Sequence, residues 1–294
     1  MYEEILPLLK CPNCYKPLNL IDSVLKDSEI IEGKLTCNCD GNWEIKDGVL
    51  DFKVEEQESV NRWSELTKAM SFEELDEMIL NYTPNNQKEL SLKSIEDIIY
   101  YLNLNKPKVV IDIATGRGSL LNELVKKLKY EFHLVCIDLS FVVLKADRKK
   151  IKKFNPKFNV SFISCDATNL PFFDNSFDLA VSFMGISNMR DLIFNALKET
   201  YRVLKPNHHF LNSTLIIELN SKGYESLKEV VGLQVLRIYN RYLARNEVSS
   251  FHKEAGFREA EFKMMGQSIG QKNELDLLPF EGEWFGIGNV YAKK

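Results

Sequence analysis

The 294-residue chain has no apolar run near the roughly 20 residues that span a bilayer. Its opening, Met1-Tyr2-Glu3-Glu4, is acidic where a secretory signal would be basic and then apolar. Both absences lead us to expect a cytoplasmic protein without membrane insertion. Histidine is scarce: His133 begins a strand-like run, His208 and His209 share a turn and His252 lies in a late helix, so all four read as structural or solvent-facing. No internal repeat is present. A strong excess of one charge is missing too, with a net charge of −4, although the first 60 residues carry about twice as many acidic as basic side chains. An acidic front of this kind is a poor independent binder of phosphate backbones.

Cysteine is present but unevenly spread. Cys136 and Cys165 sit inside apolar runs, whereas Cys11, Cys14, Cys37 and Cys39 crowd the front. In a cytosolic chain such crowding suggests a metal before disulfides. Cys11-Pro12-Asn13-Cys14 and Cys37-Asn38-Cys39 are separated by 22 residues, a spacing that lets two knuckles bring four thiolates to one tetrahedral zinc. A β-rich unit of this size has a marginal core, and a bound metal would account for its folding.

Residues 1–53 therefore read as a zinc-ribbon-like module. Residues 54–106 read as a helical connector or lid: one amphipathic helix to about Asn81, a break at Thr83-Pro84, and a second helix from about Gln87 to Leu102. From 107 to 294 short apolar runs alternate with helices, ending in two strands, Glu261–Met265 and Trp284–Ala292, with no helix between them. This predicts an α/β fold: a Rossmann-like, doubly wound, mostly parallel sheet with a C-terminal antiparallel pair at one edge.

The chemistry concentrates at strand ends. Val109-Val110-Ile111-Asp112-Ile113-Ala114-Thr115-Gly116-Arg117-Gly118 is a buried strand entering a glycine turn that opens a helix. A dinucleotide fingerprint would carry a third glycine at position 121, which is Leu121, and would not set the Asp112 carboxylate beside a pyrophosphate. The same carboxylate suits a cationic ligand such as S-adenosylmethionine, with its ammonium and sulfonium. Twenty residues past Gly118 a second run ends in Asp138, spaced to accept both ribose hydroxyls. A third run ends in Asp166-Ala167, where the carboxylate can accept from an adenine amine while a backbone N–H donates to the ring. Each aspartate alone reads as a cap or a solvated strand end; three in order read as one site.

With these segments the chain resembles the class I S-adenosylmethionine-dependent methyltransferases, in particular the ubiquinone and menaquinone biosynthesis group, over about residues 85–294. Leu170-Pro171-Phe172-Phe173-Asp174, Tyr201-Arg202-Val203-Leu204-Lys205-Pro206 and Glu254-Ala255-Gly256-Phe257 extend the likeness. The resemblance implies that Asp112 and Gly116 line the methionine part, with Ala114 and Gly118 in the same loop. It further implies that Asp138 binds ribose, Leu139 packs on adenine, Asp166 and Ala167 hold the adenine edge, and Phe183 with Met184 lies near the reactive sulfur. Ala114 replaces the usual first glycine, and Asn207-His208 the common Gly-Gly turn. The front module resembles the zinc ribbons of bacterial 23S rRNA guanine-N1 methyltransferases and of the small partner subunit of tRNA methyltransferases, through Leu9-Lys10-Cys11-Pro12 and Trp43–Val49.

Transfer from a sulfonium needs an in-line nucleophile at near-attack distance, so positioning can supply most of the acceleration, and no catalytic residue stands out. Ser187 and Asn188 are candidates to orient an acceptor, though capping of a helix beginning near Met189 is the stronger reading of both. Trp63, Phe72, Tyr82, Tyr100, Tyr101, Tyr239 and Tyr242 are candidate pocket walls, and Glu218–Tyr242 together with the helix before Asn81 a candidate roof. The favoured expectation is methyl transfer to a small or medium-sized acceptor. Two alternatives stand beside it: an RNA methyltransferase docking through the module, favoured by the basic run Lys145, Arg148, Lys149, Lys150, Lys152, Lys153 and Lys157, and a non-catalytic cofactor-binding adaptor.

Overall fold

The computed structural model describes residues 1–54 and 58–294. Four strands open the chain: β1 (Asn19–Lys26), β2 (Glu29–Thr36), β3 (Asn42–Lys46) and β4 (Val49–Asp51). Three helices follow, α1 (Glu58–Ala69), α2 (Phe72–Tyr82) and α3 (Asn85–Asn105). The remainder runs β5 (Val109–Ile113), α4 (Ser119–Lys127), β6 (His133–Asp138), α5 (Phe141–Phe154), β7 (Val160–Ser164), β8 (Phe177–Phe183), α6 (Ile193–Val203), β9 (Leu204–Ile217), α7 (Lys222–Tyr242), α8 (Val248–Glu254), β10 (Glu259–Ile269) and β11 (Trp284–Lys293).

The eleven strands among the described residues form one sheet in the order β1-β2-β3-β4-β7-β6-β5-β8-β9-β11-β10. The central strands β7 to β9 are parallel and buried on both faces, which is why they read as continuous apolar runs. The C-terminal pair is antiparallel as expected, with β11 between β9 and the edge strand β10. On one face, α3, α4 and α5 pack Ile98, Leu102, Leu121, Leu124 and Leu144 onto Val110 and Leu134. The opposite face is covered by α6, α7 and α8, with Leu197, Leu236 and Phe251 buried there. No helix among the described residues is long and apolar enough to cross a membrane.

The cysteine module is not an appended bead. β4 pairs in parallel with β7, Val49 opposite Phe162 and Asp51 opposite Ser164, so the module continues the sheet. Without β4 the outer row of β7 backbone groups would be an unpaired edge. Side chains seal the same seam: Arg148 and Lys152 of α5 meet the buried Glu29 at 2.8 and 2.9 Å, and Lys145 meets Asp47 at 2.5 Å. Lys150 pairs with Asp76, and Lys153 with Glu73 at 2.9 Å, tying α5 to α2. The acidic front and the basic helix, two unrelated features of the sequence, are thus partners.

Of the connector expected over 54–106, residues 55–57 lie outside the described residues. Its first helix is two, α1 and α2, because Ser71 starts a new one: its hydroxyl accepts the Glu74 N–H while the Glu74 carboxylate accepts the Ser71 N–H. The helix expected from Met189 begins at Ile193, since 186–192 form a 3-10 turn with Arg190 at φ 54°, ψ −118°.

Candidate active site

The loop after β5 is built on left-handed backbone. Gly116 and Gly118 have φ of 56° and 67°, and Ala114 stands at 55°, a conformation that glycine adopts without strain and alanine does not. The loop is pinned at several points: the Thr115 N–H donates to the Ile137 carbonyl at 2.9 Å, the Thr115 hydroxyl to the Asp112 carbonyl at 3.1 Å, and Ser182 to the Ile113 carbonyl at 2.8 Å. Gly185, following Phe183 and Met184, abuts the loop so closely that a Cβ on it would lie 2.5 Å from the Ala114 carbonyl oxygen. The end of β8 and the glycine loop are therefore one surface.

The three aspartates stand at the C-terminal ends of adjacent strands. Asp112 is opposite Cys136 on β6, and Asp138 opposite Ser164 on β7, with Asp166 two residues on. Asp138 accepts the Gly116 N–H at 2.9 Å and the Ser140 N–H at 3.0 Å, which fixes its carboxylate against the loop. Asp166 takes the N–H and hydroxyl of Thr168 on one oxygen, and Ala167 is buried beside it. Leu139 is half-buried between Asp138 and the start of α5.

The connector lies over this loop. Trp63 of α1 faces the Arg117 guanidinium at 4.3 Å from the ring centre, a cation–π geometry, and Ser64 bonds the α5 cap residue Ser140 at 2.6 Å. Arg117 is in electrostatic reach of Asp76, Asp147 and Asp276. Asp147, on α5, is buried against Gly118, and burial holds its carboxyl well above the usual range. Neither Arg117 nor Asp147 stood out in the sequence: one fills a variable loop position, the other sits in a run of lysines that suggests surface.

Several other candidates separate from the site. The Ser187 hydroxyl and the Asn188 amide donate to the Met184 carbonyl and so serve the turn. Tyr101 bonds His209 at the opposite end of the sheet and Tyr100 is exposed, so neither walls this site. Tyr82 is also exposed, and Phe72 lies under Lys153. His252 is buried with Tyr242 around Asn212, and desolvation pushes it down to about 4. On the roof side, Tyr239 of α7 donates to the Ser187 carbonyl at 3.1 Å.

The four front cysteines converge. Their sulfurs all lie within 4.8 Å of one another, with Cys11–Cys39 at 3.5 Å and Cys14–Cys37 at 3.3 Å. The N–H groups of Asn13 and Cys14 both point at the Cys11 sulfur at 3.4 Å and partly offset the burial that pushes its thiol up. Tetrahedral ligation with metal–sulfur bonds of about 2.3 Å has sulfur–sulfur edges of about 3.8 Å, which falls between the two short separations and the 4.8 Å limit.

Asp112 is the most deeply enclosed of the three aspartates. It is 1% exposed, and neither carboxylate oxygen has a hydrogen-bond partner. Burial pushes its carboxyl up to about 7, with the nearby Thr115 hydroxyl opposing the shift and the Asp138 charge adding to it. Between about pH 4 and 7 the folded chain therefore holds a proton that the unfolded chain has lost, and ligand-free stability falls as pH rises through that window, then levels. The span corresponds to about 4 kcal/mol. Urea unfolding of Asp112→Asn should show this fall removed and greater stability than the wild type at pH 8; parallel pH profiles for the two proteins would contradict it.

A family described as a methyltransferase domain matches residues 110–207. The ubiquinone/menaquinone biosynthesis C-methyltransferase UbiE of Rickettsia prowazekii is 31% identical over 202 residues, covering 59% of this chain and 77% of that protein. The demethylmenaquinone methyltransferase of Bacteroides fragilis is 33% identical over 132 residues, covering 45% of this chain and 51% of that one. Among solved structures, the Haloferax volcanii complex of the Trm112 methyltransferase activator with a methyltransferase aligns at a TM-score of 0.50 and 16% identity, covering 81% of this chain and 97% of that one. The [4+2]-cyclase SpnF also reaches 0.50, at 15% identity, covering 69% and 80%. Those two likenesses speak for the fold alone, and a cyclase among them shows that this fold does not dictate one reaction. The sequence relatives decide the matter: the chain belongs to the class I S-adenosylmethionine-dependent methyltransferases.

Proposed function

We propose that the chain transfers a methyl group to a small or medium-sized acceptor, with its residues acting mainly by position. The observation that carries this reading is the buried Asp112 carboxylate, both oxygens lacking a partner, at the head of a glycine loop. A cationic ligand would complete it, and S-adenosylmethionine supplies an electrophilic methyl on a sulfonium together with an ammonium group. Asp112 and Gly116 would hold the methionine part, with Ala114 and Gly118 allowing close backbone approach. Asp138 would take the ribose hydroxyls, Leu139 the adenine face, and Asp166 with Ala167 its edge. Phe183 and Met184 would flank the reacting centre, while Trp63 above and α7 on the far side exclude water. A small organic acceptor is supported by relatives named for ubiquinone and menaquinone biosynthesis. The basic run on α5, which suggested RNA, has five of its seven cations in ion pairs with the module and α2.

S-adenosylhomocysteine tests the cofactor reading. Calorimetry should find one site per chain, and Asp138→Ala should weaken it by about 1.5–3 kcal/mol, the scale of hydrogen bonds to a charged group. Equal affinity in the variant would remove the ribose assignment; no binding by the wild type would remove the reading itself.

We further propose that Cys11, Cys14, Cys37 and Cys39 hold one structural zinc. All-sulfur tetrahedral donors suit that ion, which would fix the knuckles beneath β2 and β3. Elemental analysis of freshly purified protein should give about one zinc per chain, lost in the Cys11→Ser/Cys14→Ser double variant; metal-free wild-type protein would refute the site.

A further inference from the structure

The two cysteine knuckles lead to different parts of the cofactor site. The first follows residues 8–10, which lie along the segment after Asp166 and Ala167. There the Lys10 N–H donates to the Pro171 carbonyl at 3.0 Å, the Phe173 N–H donates to the Leu8 carbonyl at 2.9 Å, and Leu9 bridges Phe172. Leu9 and Phe172 are both buried. Arg202 holds the same segment, its guanidinium donating to the carbonyls of Leu170 and Phe172 at 2.9 and 2.7 Å.

The second knuckle takes another route. The Cys37 N–H donates to the Gly41 carbonyl at 3.0 Å, which closes the turn, and the Trp43 ring sits so close that it leaves no room for a Cβ on Gly41. Trp43 meets Phe52 with ring centres 5.4 Å apart. The Phe52 N–H donates to the Ser164 carbonyl at 3.0 Å, and the Ser164 hydroxyl donates to the Leu139 carbonyl, also at 3.0 Å. In the proposed function Leu139 packs on the adenine face, while Asp166 and Ala167 hold its edge. Each knuckle therefore reaches a different wall of one pocket.

The close sulfur contacts run between the knuckles, Cys11 to Cys39 and Cys14 to Cys37. Thiols are weak hydrogen-bond partners, so sulfur contacts alone fasten the two segments loosely. One ion ligated by all four would fix the first knuckle against the second, and with them the edge wall against the face wall. We infer that metal in the cysteine module and the adenosine end of the cofactor are linked: the ion sets the spacing of the two adenine walls, and each ligand strengthens the binding of the other. The inference rests on the cofactor and zinc readings above. Linkage of this kind is reciprocal, the factor by which zinc tightens the cofactor equalling the factor by which the cofactor tightens zinc.

The test uses the full zinc-loaded chain, with zinc affinity measured by competition against a chelator of known strength, in the presence and absence of saturating S-adenosylhomocysteine. S-adenosylhomocysteine should raise the zinc affinity at least about fivefold, and zinc-free protein, still folded by circular dichroism, should bind S-adenosylhomocysteine more weakly by the same factor. Ser164→Ala removes the one hydroxyl that carries the second route to Leu139, and should shrink that factor. Equal zinc affinity with and without S-adenosylhomocysteine, or an undiminished factor in Ser164→Ala, would overturn the inference. So would a zinc-free chain that has lost its whole fold, since the linkage would then be global stability alone. Protein that takes up no zinc would bring down the metal reading instead, and a zinc-loaded chain that binds no S-adenosylhomocysteine the cofactor reading; both are seen before any competition is run.

Discussion

A carboxylate enclosed among apolar strands, with no donor to meet either oxygen, is the constraint from which the organisation of this molecule follows. Asp112 is unfavourable as an anion where it stands, and in the function proposed above the elements around it receive a ligand cation. The left-handed turns at Gly116 and Gly118 bring backbone close, the end of β8 seals one flank through Gly185, and Asp138 is held in place by the loop's own N–H. A buried polar group left unpaired in a folded chain calls for an explanation, and a bound ligand is one. Here Asp112 is such a group, at the C-terminal end of β5.

Helix α5 connects this site to everything that surrounds it. Its cap residue Ser140 lies two residues beyond Asp138 and meets α1 through Ser64, its inner side places Asp147 against Gly118, and its basic side grips both the cysteine module and α2. The module's position is thereby fixed relative to the cofactor loop, by strand pairing through β4 as well as by the Glu29 ion pairs. Such pairs are weak when exposed; Glu29 is buried, so losing both Arg148 and Lys152 would strip a buried charge of its closest compensation.

Much of this was legible in the sequence because the central strands are buried on both faces and each ends in a polar residue. Runs such as Val109–Ile113 and Val160–Ser164 have no alternation to confuse them, and Asp112, Asp138 and Asp166 punctuate them. The four cysteines were equally plain from spacing. What escaped depends on contacts that no local pattern encodes. β4 is three residues long and joins β7 through backbone groups, which leave no side-chain code. The break at Ser71 was available as Ser-x-x-Glu but was hidden inside a continuous amphipathic stripe. Arg117 and Asp147 become conspicuous only when their burial and their contacts with the loop and connector are known.

The account turns on Asp112 ionising to meet a ligand cation, and proton-linked calorimetry reads this directly. S-adenosylhomocysteine binding at pH 6, measured in buffers of different ionisation enthalpy, should release close to about one proton per site, because a carboxyl held up to about 7 must give up its proton. The release should vanish in Asp112→Asn. Binding at pH 6 with no proton released, or with the same release in the variant, would contradict the central claim.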